Sequence, residues 1–136
     1  MVVLTLRKSP LKAKKFRVVF EDGTHTDFGA SGYSDYTIHK SPERMRAYIN
    51  RHGGKIKTST REETDPNKIH DLMLHVKESR SESWGKDGIG SAGFWSRWLL
   101  WSMPSIPKAI SLIESEFKVK INYFPRLRGC LNPHVC

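Results

Sequence analysis

Three tryptophans fall within seven residues in Gly93-Phe94-Trp95-Ser96-Arg97-Trp98-Leu99-Leu100-Trp101, and the chain has only one other, Trp84. Placed on a helix, Phe94, Trp95, Trp98 and Trp101 point broadly to one side, with Arg97 and Leu100 away from its centre. Aromatic side chains bury roughly 150–250 Å² each, so this segment either anchors a core or meets a partner. The core is the favoured reading, which makes Trp84, Phe94, Trp95, Trp98 and Trp101 the expected anchors. Nothing around them supplies a nucleophile, an acid–base pair or a phosphate loop, and no enzyme is expected.

With 136 residues the chain has room for one domain with a real core and not for two. No apolar run approaches the roughly 20 residues of a membrane span. The start, Met1-Val2-Val3-Leu4-Thr5-Leu6, precedes its basic residues instead of following them, unlike a signal peptide. A soluble intracellular product is the expectation.

A formal charge of +9 is the strongest compositional signal. Arg7, Lys8, Lys12, Lys14, Lys15 and Arg17 all precede the first acid, Glu21. Such an arm can seek phosphate or an acidic protein surface; it can equally be a solvated tail. Leu4, Leu6 and Leu11 give it something to bury, which a disordered tail would not need. Arg7, Lys8, Lys12, Lys14 and Lys15 are the partner-binding candidates. The two cysteines, Cys130 and Cys136, lie at the extreme C-terminus. With His134 they offer three metal ligands and no fourth, so free thiols are expected ahead of a local disulfide, and neither a metal nor a cofactor is.

The run Lys15-Phe16-Arg17-Val18-Val19-Phe20, the turn around Asp22-Gly23 and the return from Thr24 to Phe28 predict a hairpin. Phe16, Val18 and Phe20 share its buried face. Ser41-Pro42-Glu43 starts a helix, with Met45, Tyr48 and Ile49 as its apolar stripe and His52-Gly53-Gly54 as its end. Asp65-Pro66 starts a second, with Ile69, Leu72, Met73 and Val76 on one face, ending near Glu78 to Arg80. The tryptophan helix is expected from Gly93 to Trp101. Ser105 caps another that carries Ile106, Ala109, Ile110, Ile113 and Phe117, and Lys118 to Phe124 alternates as a strand.

These elements predict an α+β domain: a small antiparallel sheet, the N-terminal hairpin plus a late strand, packed by three to four helices, with extended terminal arms. The expected organisation is a basic N-terminal arm over residues 1–14, a single α+β domain over 15–124 and a C-terminal arm over 125–136.

Chemistry beyond packing is sparse. Gly85 to Gly93 lacks the Lys-Ser/Thr and the preceding strand of a P-loop. His70 and His75 are five apart and diverge around a helix. Asp35 and His39 could make an acid–base pair, but a hydrogen-bonded turn that docks the loop on the sheet is the favoured reading. Basic charge with aromatics also suits single-strand nucleic-acid binding. Here, however, the aromatics cluster in apolar surroundings and are not interleaved with Lys and Arg.

Two sets of strings carry a resemblance. The first is Phe20-Glu21-Asp22-Gly23, Asp27-Phe28-Gly29, Gly32-Tyr33-Ser34-Asp35-Tyr36-Thr37-Ile38-His39-Lys40, Glu43-Arg44-Met45, Tyr48 and Arg51-His52-Gly53. The second is Asp87-Gly88-Ile89, Ala92-Gly93-Phe94-Trp95-Ser96-Arg97-Trp98-Leu99-Leu100-Trp101 and Pro104-Ser105. In this order they resemble a family of small proteins of the nucleocytoplasmic large DNA viruses, particularly those of algae and amoebae. The resemblance covers roughly Lys15 to Phe117 and brings no catalytic residues. It implies a virus with a large icosahedral capsid and an internal membrane. Small proteins there bridge capsomers beneath the double jelly-roll major capsid shell. The expected role is thus a minor capsid protein of the virion, present in host cytoplasm during assembly, with the major capsid protein and other minor capsid proteins as partners. The alternative is a protein that binds or packages viral nucleic acid non-specifically.

Overall fold

Leu4 and Leu6 alternate with Val3, Thr5 and Arg7, and that alternation builds the middle of the sheet. In the computed structural model, which describes residues 1–125, β1 (Val2–Lys8) buries both leucines completely. It pairs antiparallel with β2 (Lys14–Val19), which pairs antiparallel with β3 (His25–Ala30). On its other side β1 runs parallel to β4 (Val119–Phe124), giving the order β3-β2-β1-β4. The register sets Leu6 beside Val18, Phe16 beside Phe28 and Leu4 beside Ile121, so one face carries the core.

The architecture is α+β, with a mixed sheet where an antiparallel one is expected from the sequence. Residues 1–14 are likewise not an extended arm: Val2–Lys8 is an interior strand and only the turn beyond it projects. Leu4 and Leu6 each have enough apolar surface to favour burial by roughly 1.5–3 kcal/mol, and the parallel partner is reached through the long helical crossover such pairs require. Leu11, in the turn, stays half exposed. The C-terminal arm expected over 125–136, with Cys130, His134 and Cys136, lies outside the described residues except for Pro125.

The β2–β3 turn follows its local chemistry. Gly23 sits at φ +86°, and the Asp22 carboxylate accepts from the Thr24 amide at 2.9 Å and from its hydroxyl at 2.6 Å. After β3, α1 (Tyr36–His39) is a single turn capped by Asp35. In α2 (Pro42–Arg51) the Ser41 hydroxyl accepts from the Arg44 amide, Pro42 occupies the first turn, and Met45, Tyr48 and Ile49 are buried. Asp65 caps α3 (Pro66–Leu74), which buries Ile69 and Met73 against α2 and ends before the expected Glu78. Ser105 caps α5 (Ile106–Phe117), which buries Ala109, Ile113 and Phe117 and delivers the chain into β4 through Lys118 at φ +57°.

The tryptophan segment is not one regular helix. Ser91 caps α4 (Ala92–Trp95), and Ser96–Leu100 then widens into a π-helical turn. Both pack against β3. Trp84, Phe94, Trp95 and Trp98 are fully buried, and Trp101 partly. Each buried indole N–H is satisfied: Trp84 donates to Glu82 Oε1 at 2.8 Å, Trp95 to the Ile89 carbonyl at 2.7 Å and Trp98 to the Trp84 carbonyl at 2.8 Å.

Arg97 and Leu100, expected away from the apolar centre, are buried as well. The guanidinium of Arg97 meets no carboxylate among the described residues. It donates to the carbonyls of Met73 at 2.8 Å, Val76 at 3.1 Å and Trp101 at 2.5 Å, and lies 4.4 Å from the ring centroid of Trp98. Two of those carbonyls close the C-terminal end of α3, where the helix dipole favours a cation. Burial pushes the Arg97 guanidinium down to about 9, so it remains a cation at neutral pH.

Candidate partner-binding surface

The β1–β2 turn gathers lysines because both strand ends finish in them. Lys8 closes β1; Lys14 and Lys15 open β2. Ser9 fixes the turn between: its amide donates to the Lys15 carbonyl, its hydroxyl donates to Asp27 Oδ1 at 2.7 Å, and its oxygen accepts from the Leu11 amide at 3.1 Å. Lys12 projects from the tip. Lys8, Lys12, Lys14 and Lys15 thereby border one hollow of about 730 Å³, floored in part by Phe16, Ile106 and Tyr123. Leu11 and Ile38 stand exposed on its wall.

The five candidate cations do not act alike. Lys15 Nζ lies 2.7 Å from Asp35 Oδ2 in a pair shielded from solvent on both sides. Lys12 and Lys14 are exposed. Arg7 sits apart: it is absent from the hollow, half-buried on β1 opposite Arg17, and its Nε is buried without a partner among the described residues. Arg17 is itself engaged, clamping both Asp27 oxygens at 2.9 and 3.0 Å. That hydrogen bond holds the Asp27 carboxyl below its ordinary value despite partial burial.

Asp35 and His39 make no acid–base pair. The Asp35 carboxylate accepts from the Thr37 amide at 2.9 Å, the Thr37 hydroxyl at 2.5 Å and Lys15 at 2.7 Å. It caps α1 and ties it to β2. His39 Nδ1 accepts from the Ser41 amide at 3.0 Å, which leaves the proton on Nε2, buried without a partner among the described residues. Its ring packs 5.2 Å from Trp101, and burial holds its pKa below the ordinary histidine value. Beside it, the Tyr36 hydroxyl meets His70 Nδ1 at 2.7 Å.

A second hollow, of about 450 Å³, opens on the other side of Lys14 and Lys15. The aromatic ladder of Trp101, Tyr48 and His52 forms one wall. Trp101 and Tyr48 stack at 4.4 Å with 6° between planes, and Tyr48 and His52 at 4.1 Å. Arg44 and Arg51 of α2 also line it, and neither was singled out by sequence reasoning. Their spacing of seven residues marks them as one helical face, but only the fold shows what that face overlooks.

No group of three or more His, Cys, Asp or Glu side chains among the described residues could hold a metal ion. No helix among them is long and apolar enough to cross a membrane.

A family model described as "Family of unknown function (DUF5754)" matches residues 4–52. That stretch runs from β1 to the end of α2; it includes the lysine turn, Asp35, Arg44 and Arg51, and excludes the tryptophan segment and β4. No curated protein and no solved structure matches the chain.

Proposed function

We propose that this domain is a structural component of a large DNA virus particle, a minor capsid protein that joins capsomers beneath the major shell. The viral setting rests on the resemblance of the Tyr33–Lys40 and Phe94–Trp101 strings. The observation that carries the contact mode is the lysine-bordered hollow at the β1–β2 turn. Lys8, Lys12, Lys14 and Lys15 surround it, and the exposed Leu11 and Ile38 add apolar surface. Cations around an apolar centre suit an acidic protein surface, where charge steers and apolar contact holds.

The same packing weakens the nucleic-acid alternative. Single-strand binders stack bases on open aromatic faces, whereas Trp84, Trp95 and Trp98 are closed in the core and Tyr48 is sandwiched between Trp101 and His52. What supports that second reading is the formal +9, with the exposed rings of Tyr33 and Phe124 beside it.

Charge reversal at the turn separates the two. Lys12→Glu with Lys14→Glu changes two exposed side chains and should leave the fold intact. Its binding to the purified major capsid protein, measured by sedimentation, is expected to fall on the order of tenfold or more. Full retention of binding by the variant contradicts the assignment. So does an affinity for non-specific DNA that exceeds the affinity for capsid protein at physiological salt.

A further inference from the structure

The second hollow shares Lys14 and Lys15 with the first, but its arginines have no part in that reading and give it chemistry of another kind. Among the described residues four cationic side chains, Lys14, Lys15, Arg44 and Arg51, line it against one carboxylate, that of Asp35, a net +3. Asp35 is already neutralised by Lys15 at 2.7 Å. Arg17, Arg46 and Arg97 spend their guanidinium groups on carboxylate or carbonyl partners. The side chains of Arg44 and Arg51 make no ion pair or hydrogen bond among the described residues. Both are exposed, two helical turns apart on one face of α2, with Tyr48 between them.

Two arginines held ready on one wall, unpaired, are the donor set for phosphate, whose oxygens accept their paired N–H groups. One phosphate carries roughly −1.5 to −2, which leaves a +3 lining under-neutralised; two linked phosphates match it. The volume, about 450 Å³, is that of a small-molecule site. At the rim stands Tyr33, 74% exposed, its ring stacked on no other among the described residues. We infer that this hollow binds a diphosphate group, with Arg44 and Arg51 as the phosphate ligands and Lys14 as a supporting charge.

A diphosphate can come free or attached to a nucleoside, and Tyr33 distinguishes the two, since only the nucleoside has a ring to lay against it. The test is calorimetric titration of the full chain with pyrophosphate and, separately, with adenosine diphosphate. Both should bind saturably, raise the thermal midpoint with concentration, and weaken as salt screens the charges. Arg44→Gln and Arg51→Gln, each at an exposed helical position, should each weaken pyrophosphate on the order of tenfold, with circular dichroism showing the fold retained. Adenosine diphosphate binding that is tighter than pyrophosphate, and loses its advantage in Tyr33→Ala, assigns the site to a nucleoside diphosphate. Equal binding assigns it to the free group. Absence of saturable pyrophosphate binding at millimolar concentration overturns the site, as does binding unchanged in both arginine variants. Arg44 and Arg51 separate this site from the capsid reading, because neither borders the lysine hollow at the β1–β2 turn, although Lys14 and Lys15 line both hollows.

Discussion

Arg97 Nη2 donates to the carbonyl of Met73 at 2.8 Å, and through this bond the π-helical turn holds the end of α3. Two more carbonyls, those of Val76 and Trp101, depend on the same guanidinium. Removing it takes this donor from the carbonyls of Val76 and Trp101 at about 1–3 kcal/mol each, while the Met73 carbonyl keeps the Val76 amide at 3.0 Å, and the loss is partly offset by relief of the charge's own desolvation. Arg97→Met is therefore expected to lose about 3 kcal/mol in equilibrium urea unfolding. Arg97→Lys should recover little, since a compact ammonium cannot span three carbonyls. A loss below about 1 kcal/mol for Arg97→Met would show that the carbonyls find other partners.

The tryptophans should separate by burial. Trp95 is enclosed, packs 5.4 Å from Phe94 and 6.0 Å from Phe28, and joins α4 to the sheet. Trp95→Ala is expected to cost about 3–5 kcal/mol. Trp101 keeps part of its surface in solvent and rests on Tyr48, so Trp101→Ala should cost less, about 1–2 kcal/mol. Urea unfolding followed by far-ultraviolet circular dichroism ranks them. The reverse order would mean that the ladder, and not the enclosed ring, anchors the fold.

Two neighbouring glycines give an opposite pair. A Cβ at Gly88 would run into the backbone carbonyl and hydroxyl of Ser83, whereas one at Gly90 would meet nothing within 4 Å among the described residues. Gly88→Ala is expected to cost about 2–4 kcal/mol or to prevent folding, and Gly90→Ala to stay within about 0.5 kcal/mol. Soluble yield and thermal midpoint decide it. The glycines of Gly85–Gly93 thus serve packing at one position and leave another open.

Acid stability has two windows with different owners. Burial holds His39 and His70 below the ordinary histidine value of 6.5. Below 6.5 the unfolded chain takes protons that the fold refuses, so stability falls as pH drops from there toward the folded-state values and levels off beneath them. Asp27 is held below its ordinary 3.8 by Arg17, so its contribution is full above that value and is lost as pH falls through the folded-state pKa. Thermal midpoints from pH 8 to 3 should fall in two stages. His39→Gln with His70→Gln should flatten the upper stage and spare the lower. An unchanged upper stage would assign it to other groups.

The hairpin and the three capped helices were legible because their signals are local. Asp22-Gly23 makes its own turn, and Ser41, Asp65 and Ser105 each accept from an amide two or three residues on. The sequence predicts an arm at β1 because Arg7, Lys8 and Lys12 dominate its neighbourhood, while the alternation of Leu4 and Leu6 is short. Its parallel partner β4 lies at the far end of the described chain, and no local pattern announces such a pairing. A helical wheel places Arg97 outward because a charge normally faces water; its partners are backbone carbonyls, which carry no sequence signature. The lysines stood out as a charge run. Their convergence on one hollow depends on the turn that Ser9 holds, and the ion pair of Lys15 on a loop twenty residues away.

The most direct test of the structural role is quantitative mass spectrometry of purified virions stripped stepwise into capsid, membrane and DNA-core fractions. A minor capsid protein is expected in the capsid fraction at a fixed ratio to the major capsid protein. Recovery with the DNA core, or absence from the virion, would contradict it.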